Sequence, residues 1–252
     1  MHQHAASIRS YFDAAAIQYA RARSREYSFA QQKRIALEML PAELENVLDA
    51  GCGPAIMAES VLERAQGYWG VDLSTEMIAH GRIRMAGEPR CHLAAGNAEK
   101  LEFAPGFFDA VIALGMLEYL LAYERSLAEI FRVLRPGGVA ILAVPNRASL
   151  YHRALRVTAT VRGLVKKAIG RPPRLSERFF TNRCLPAQLD DALRRAGFEK
   201  AEGRYCNFIF HPLHELHGGA SLALNRRLTE AGPLQGAHWL GSQYIVKAQK
   251  PA

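Results

Sequence analysis

The chain has 252 residues, 49% hydrophobic and 22% charged, which suits one sizeable core and is too short for two full domains. Its 32 Lys and Arg against 24 Asp and Glu leave a net charge of +8, and no apolar run approaches the roughly 20 residues that cross a bilayer. Cys52, Cys91, Cys184 and Cys206 are scattered with no C-x-x-C pair, which argues against a disulfide scaffold or a zinc knuckle and reads as free thiols. The opening MHQHAASIRS lacks a basic stretch followed by an apolar one, so the expected location is cytoplasmic.

In chain order, SIRSYFDAAAIQYARARS (7–24) predicts a helix with Ile8, Tyr11, Phe12, Ala15, Ala16 and Tyr19 on one side. Short apolar runs then end at Asp49, at Asp72 in YWGVDLS, near Ala95, at Leu114 in FDAVIALG and at Pro145 in GGVAILAVPN. Helix-period segments separate them: AIMAESVLERA, STEMIAHGRIRMA and YERSLAEIFRVL. Ser74 is a good N-cap with Glu76 in the first turn, and RPGG (135–138) predicts a helix stop before a new strand. The alternation is βαβαβ, hence an α/β fold with a parallel, doubly covered sheet and right-handed crossovers.

In such sheets a ligand binds at the carboxyl ends of the strands, beside the point where strand order reverses. The first strand ends at Asp49, and Gly51-Cys52-Gly53 follows, where the lack of a Cβ lets backbone approach a ligand. About twenty residues further on, Asp72 closes the second strand, where a carboxylate can accept from both ribose hydroxyls. The third glycine of G-x-G-x-x-G is missing, since Ile56 stands there, and an acid before the loop is awkward beside a pyrophosphate. That acid suits a cofactor with a cationic ammonium and sulfonium.

These residues, with VLDAGCGPA, YWGVDLSTEMI, GNAEKLEFAPGFFDAVIALGMLEYL and RVLRPGGVAILAVPN in order, make the chain resemble the class I S-adenosylmethionine (SAM) methyltransferases of the quinone-biosynthesis and small-molecule group. The resemblance covers roughly residues 10–147. It implies a seven-stranded, mostly parallel, Rossmann-like sheet with an antiparallel last strand, an N-terminal helical cap and a helical lid insertion. It also implies that Asp49, Gly51 and Gly53 hold the methionine end, Asp72 the ribose, and Leu73 and Met77 the adenine faces. Asn97 and Ala98 would meet the adenine edge, and Leu114 would cover the sulfonium side. Many relatives carry aspartate where this chain has Asn97, whose amide oxygen can still accept from the adenine amino group. The N-terminal helix would lie over the cofactor, with Tyr19 near the methionine carboxylate and Tyr11 toward the substrate; Tyr119 is a further substrate-side candidate.

Each residue also has a plainer reading: Asp49 as a satisfied strand-end acid, Asp72 as a cap, and Met77 and the tyrosines as core. The alternative function is a non-catalytic SAM-fold binding or partner protein, and a nucleotide-dependent oxidoreductase stands third.

After Pro145 the resemblance thins. From Leu150 to Arg183 nine cations face the single acid Glu177, a net +8 that equals the charge of the whole chain. Residues 150–169 form a basic amphipathic pattern, broken at 170–173. Three readings compete: a solvated lid, contact with an anionic membrane surface, and recognition of an anionic substrate or carrier. Nucleic acid is disfavoured, because no aromatic stacking platform accompanies the charge. The expected organisation is 1–147 cap and core, 148–184 lid, and 185–252 the remainder of the same α/β domain.

LPAQLDDALRRAGF (185–198) predicts a helix started by Pro186 and stopped at Gly197, and FEKAEGRYCNFIF and SQYIVKAQK predict the last two strands. Between them His211, His214 and His217 drift round a helix without a completing ligand set, so no metal is expected. Methyl transfer from a sulfonium is an in-line displacement that needs a base only when the acceptor must lose a proton. His211 and His214 are the candidate bases, with Tyr151 and His152 at the lid entrance as substrate contacts.

Overall fold

The computed structural model describes residues 2–23, 27–157, 185–208, 223, 227 and 239–252. Seven strands form one sheet: β1 (Leu44–Ala50), β2 (Ala65–Asp72), β3 (Cys91–Ala95), β4 (Phe108–Leu114), β5 (Leu134–Pro145), β6 (Glu199–Cys206) and β7 (Gln243–Gln249). Their order is β3-β2-β1-β4-β5-β7-β6, with β7 antiparallel to both neighbours and the pairs from β3 to β5 parallel. The chain reverses direction across the sheet between β1 and β4, so the crevice lies where their carboxyl ends diverge.

Alternation sorts the strand residues onto two covered faces. Leu48, Val111, Ala113, Leu142, Val144 and Val246 share one core cluster. Val47, Ala110, Ile112, Ile141, Ala143 and Ile245 share the other. Helix α5 (Tyr123–Val133) covers the first face with Leu127, Ile130 and Val133, a single stripe at helical spacing. Helices α2 (Tyr27–Met39) and α3 (Ala58–Leu62) cover the second with Phe29, Ile35, Met39 and Val61. Each such side chain, fully buried, contributes about 1.5–3 kcal/mol.

Helix α1 (His2–Arg23) packs against α4 (Thr75–Arg84); α6 (Leu150–Val157) and α7 (Pro186–Arg195) complete the described helices. Ser74 caps α4, its Oγ accepting from the Met77 N–H at 3.1 Å, and Pro186 opens α7. Several expected elements differ in extent: α1 begins at His2, ahead of the expected start at Ser7, and β6 ends at Cys206. AIMAESVLERA is helical only over Ala58–Leu62, because Gly51, Gly53 and Ala55 all take positive φ and the chain is still turning beneath β1 and β2. RPGG lies inside the start of β5, after a helix that ends at Val133, where a register shift opposite Phe108–Ala110 takes up the extra residues. Helix α2 has no counterpart among the elements read from the sequence.

Among the described residues no helix is long and apolar enough to cross a membrane. Residues 158–184, with most of the basic segment and Cys184, and the histidines His211, His214 and His217 lie outside the described residues.

Candidate cofactor site

The turn after β1 is held by the neighbouring strand: the N–H groups of Gly51 and Cys52 both donate to the Val71 carbonyl, at 2.7 and 3.1 Å. Gly51 has φ +77°, and a Cβ there would stand 2.8 Å from Met116 Cβ, so backbone passes where no side chain fits. Asp72 organises the same turn from β2. One carboxylate oxygen accepts from the Gly53 N–H and the other from the Ser74 N–H, both at 2.9 Å. Each oxygen keeps accepting capacity toward a ligand.

Asp49 is 3% exposed, and the Tyr68 hydroxyl donates to it at 2.7 Å. Burial pushes its carboxyl up to about 7; the charge of Asp72 adds to this, and the Tyr68 bond opposes it. Burial also raises the Asp72 carboxyl, with Asp13 adding, against the bonds from Ser74 and Gly53. Two acids are therefore held in surroundings that disfavour their charge, a condition an adjacent cation relieves.

A cavity partly open to solvent runs across these strand ends. Of the cofactor residues expected from sequence, Tyr19, Gly51, Gly53, Asp72, Leu73, Met77, Asn97, Ala98 and Leu114 line it, as does Tyr119. Asp49 lines an adjoining hollow with Tyr19, Phe29, Met57 and Leu114. Met77 is both: buried in the α4 packing and present in the wall. Asn97 already accepts the Glu99 N–H on its side-chain oxygen at 2.9 Å, leaving one lone pair for an adenine amino group.

Helix α1 roofs the cavity with His4, Ala5, Ile8, Phe12 and Tyr19. The Tyr19 ring lies above Gly53, whose Cβ position is 3.9 Å from Tyr19 Cε1. Phe12 packs edge-on against both Tyr19 and Tyr119. The helix is fastened to the core by Asp13, which accepts from Ser74 Oγ at 2.6 Å and from the Glu76 N–H at 3.3 Å.

Other candidates stand elsewhere. Tyr11 is half-buried, edge-on to Phe12 and outside the cavity lining. His152 is 7% exposed and its Nδ1–H donates to the Asn146 carbonyl at 2.9 Å, with Ser149 Oγ 3.0 Å from the same nitrogen, while the His152 backbone N–H donates to Ser149 Oγ at 3.2 Å. That network caps α6, and Tyr151 packs edge-on against the His152 ring. His211 and His214 lie outside the described residues.

The sequence reading missed His4, Met116 and Leu120 among the lining residues. His4 had a signal, since His4, Ile8 and Phe12 recur at i+4 steps along the stripe already read from Ile8 onward.

The residues present fit SAM: acids at the ends of β1 and β2, a cradle that a Cβ would fill, and apolar walls for a base. The family pattern described as a methyltransferase domain matches residues 48–142. The chain is 31% identical over 187 residues to the ubiquinone/menaquinone biosynthesis C-methyltransferase of Nitrosospira multiformis, covering 68% of this chain and 74% of that one. It is 30% identical over 177 residues to the "Probable S-adenosylmethionine-dependent methyltransferase" of Mycolicibacterium smegmatis, covering 69% of this chain and 61% of that relative's length. In fold it is similar to a chain of the complex between the Haloferax volcanii Trm112 methyltransferase activator and a methyltransferase, with TM-score 0.69, 19% identity and coverage of 96% and 98%. The turn after β1, the acid closing β2 and the seven-stranded order all lie within these likenesses, and the chain belongs to the SAM-dependent methyltransferases.

Proposed function

We propose that the chain transfers the methyl group of SAM to a small, largely apolar acceptor carrying an ionisable hydroxyl, such as a phenol, a quinol or a carboxylic acid. The observation that carries this reading is a pair of adjoining hollows that share Tyr19, Gly51, Gly53 and Leu114, with the raised acids Asp72 and Asp49 and a glycine turn at one side and apolar and aromatic walls elsewhere. When bound, SAM supplies an electrophilic methyl on a sulfonium that is already a good leaving group. The chain's part is then positioning: Asp49 and the Gly51–Gly53 turn receive the cationic amino-acid end, Asp72 the ribose, and Leu73, Met77 and Ala98 the base. Tyr19, Phe29 and Leu114 form an apolar wall beside the amino-acid end, where the acceptor's body would lie.

Methylation at oxygen is the first expectation. Methylation at an adjacent ring carbon is the second reading, favoured by the extent of the likeness to a C-methyltransferase. A phenol or quinol acceptor needs its hydroxyl proton removed in either case, C-transfer also releases the hydrogen of the methylated ring carbon, and His211 and His214 remain the proposed bases. Incubation with methyl-labelled SAM and a panel of phenols, quinols and carboxylic acids tests the reading, and the position of the label separates O- from C-transfer. Transfer only to protein or RNA would overturn it.

Residues 148–184 are proposed as a lid between the core (1–147) and the rest of the domain (185–252), cytoplasmic or at a membrane surface. Replacing Arg153, Arg156, Lys166 and Lys167 by glutamine separates its roles. Loss of co-sedimentation with anionic liposomes marks a membrane contact, and a raised KM marks an anionic substrate or carrier. Exposed charge pairs of either kind weaken with salt over a Debye length of about 8 Å.

A further inference from the structure

Helix α1 touches the cavity floor in a definite order. Tyr19 lies over Gly53, Asp13 bonds Ser74 beside Asp72, and the His4 Nε2 meets the Tyr119 carbonyl at 2.9 Å. At about 1.5 Å per residue, the six residues from Tyr19 to Asp13 span about 9 Å and the nine from there to His4 about 14 Å. On the assignment above, Gly53 marks the amino-acid end and Asp72 the ribose. On that order the helix would run along the cofactor from its amino-acid end past the ribose, which puts His4 beyond Asp13 on the side where the adenine would lie. Leu73, Met77, Asn97 and Ala98 line the same cavity as His4.

His4 is the one imidazole among the described residues of that lining, on a stripe that continues with Ile8 and Phe12. Its protonation pattern follows from its partner. A carbonyl oxygen can only accept, so the bond to Tyr119 fixes the hydrogen on Nε2 and leaves Nδ1 of the neutral ring as an acceptor. The adenine 6-amino group carries two N–H donors, and the Asn97 side-chain oxygen, already shared with the Glu99 N–H, has capacity for one.

We propose that His4 is a cofactor-specificity residue: its Nδ1 accepts the second hydrogen of the adenine 6-amino group, so that α1 reads the base as well as covering it. The proposal rests on the SAM reading of the cavity. It predicts rejection of a purine whose 6-position is a carbonyl, because two acceptors would then face each other. The bond to Tyr119 makes His4 a fastening of the helix too, and the two roles have different signatures. Loss of a fastening weakens every cofactor alike, whereas loss of the acceptor alters only the choice between 6-amino and 6-oxo bases.

The test is calorimetric titration of the full chain with S-adenosylhomocysteine and with S-inosylhomocysteine, its 6-oxo counterpart. The wild-type chain is expected to prefer the adenosyl compound by about tenfold or more, the worth of one well-made hydrogen bond. His4→Leu, with its melting temperature checked, should reduce that ratio severalfold, and His4→Gln, which keeps a donor for Tyr119 and an acceptor oxygen, should restore part of it. A ratio unchanged in folded His4→Leu, or equal losses for both compounds, overturns the specificity role. If the wild-type chain binds neither compound, the SAM reading itself fails, an outcome distinct from binding both without discrimination, which overturns the proposal alone.

Discussion

The floor and the roof of the cavity are built by different means. The floor is backbone: strand ends, a glycine turn with fixed φ, and a carboxylate that bonds two main-chain N–H groups. The roof is one helix held through its side chains, by packing against α4 and Tyr119 and by bonds that include Asp13 to Ser74 and His4 to the Tyr119 carbonyl. A floor made from hydrogen-bonded sheet cannot move without breaking the sheet. A roof joined to the core by side chains alone can lift without breaking the sheet, which a cavity needs if a cofactor is to enter and leave.

Substitutions that disturb the backbone of the floor should therefore damage folding and binding together, and substitutions in the roof should act on cofactor binding with little loss of stability. The largest effect is expected for Gly51→Val. Its side chain would sit within 2.8 Å of Met116 Cβ at a φ of +77°, and overpacking plus strain should cost roughly 2–5 kcal/mol of stability. Thermal or urea unfolding measures this, and a Gly51→Val chain as stable as the wild type would show that the turn is not rigid.

Asp72→Ala comes next. It removes the proposed ribose contact and strips the Gly53 and Ser74 N–H groups of their acceptor, so SAM affinity should fall by about 1.5–3 kcal/mol, with a loss of stability alongside. Calorimetry against SAM tests it. Unchanged affinity in a folded variant would remove Asp72 from the site.

The third effect is on pH. With its carboxyl pushed up to about 7, Asp49 is protonated in the free protein below that pH, and Asp72 is displaced in the same direction. A cation bound beside Asp49 favours the ionised form, so binding below pH 7 releases a proton. Affinity should fall by up to about tenfold per pH unit as pH drops from 7 and level off above it. The stability term has the opposite sense. The unfolded carboxyl ionises near 4, so the burial penalty is absent below that and develops as pH rises toward 7. Asp49→Asn should then gain stability at pH 8 while losing both SAM affinity and its pH dependence. Proton release can be followed by titrating SAM in buffers of different ionisation enthalpy.

The smallest effect belongs to the roof. Asp13→Ala removes one fastening of α1 and should speed SAM dissociation severalfold, about 1 kcal/mol, with little change in melting temperature. Stopped-flow release of SAM checks it. A melting temperature lowered as far as by Gly51→Val would erase the distinction between roof and floor.

How much of this was legible before folding differs between the same two regions. Strand ends near Asp49 and at Asp72, Ala95, Leu114 and Pro145 follow from contiguous apolar runs, because a sheet covered on both faces buries successive residues of its central strands. The glycine turn and the acid after the second strand were legible for the same local reason. The resemblance of those blocks supplied the cofactor and the closing antiparallel strand, which periodicity alone does not specify.

Only the tertiary structure decided what depends on residues far apart in the chain. The bond between His4 and Tyr119 joins residues separated by 115 positions, and that between Asp13 and Ser74 spans 61. The roof's place over the cavity therefore had no local signal beyond an aromatic stripe. The same holds for protonation. Asp49 reads from sequence as an ionised carboxylate, and it is the burial that folding imposes, with the charge of Asp72 adding, that raises it. His152 reads as a substrate contact because it stands at the entrance to the expected lid, and folding turns it inward onto Asn146 and Ser149. Local sequence determines which backbone lies where, since burial and turn geometry act over a few residues. The charge state, partner and orientation of each polar side chain depend on desolvation and contacts that exist only once distant segments meet.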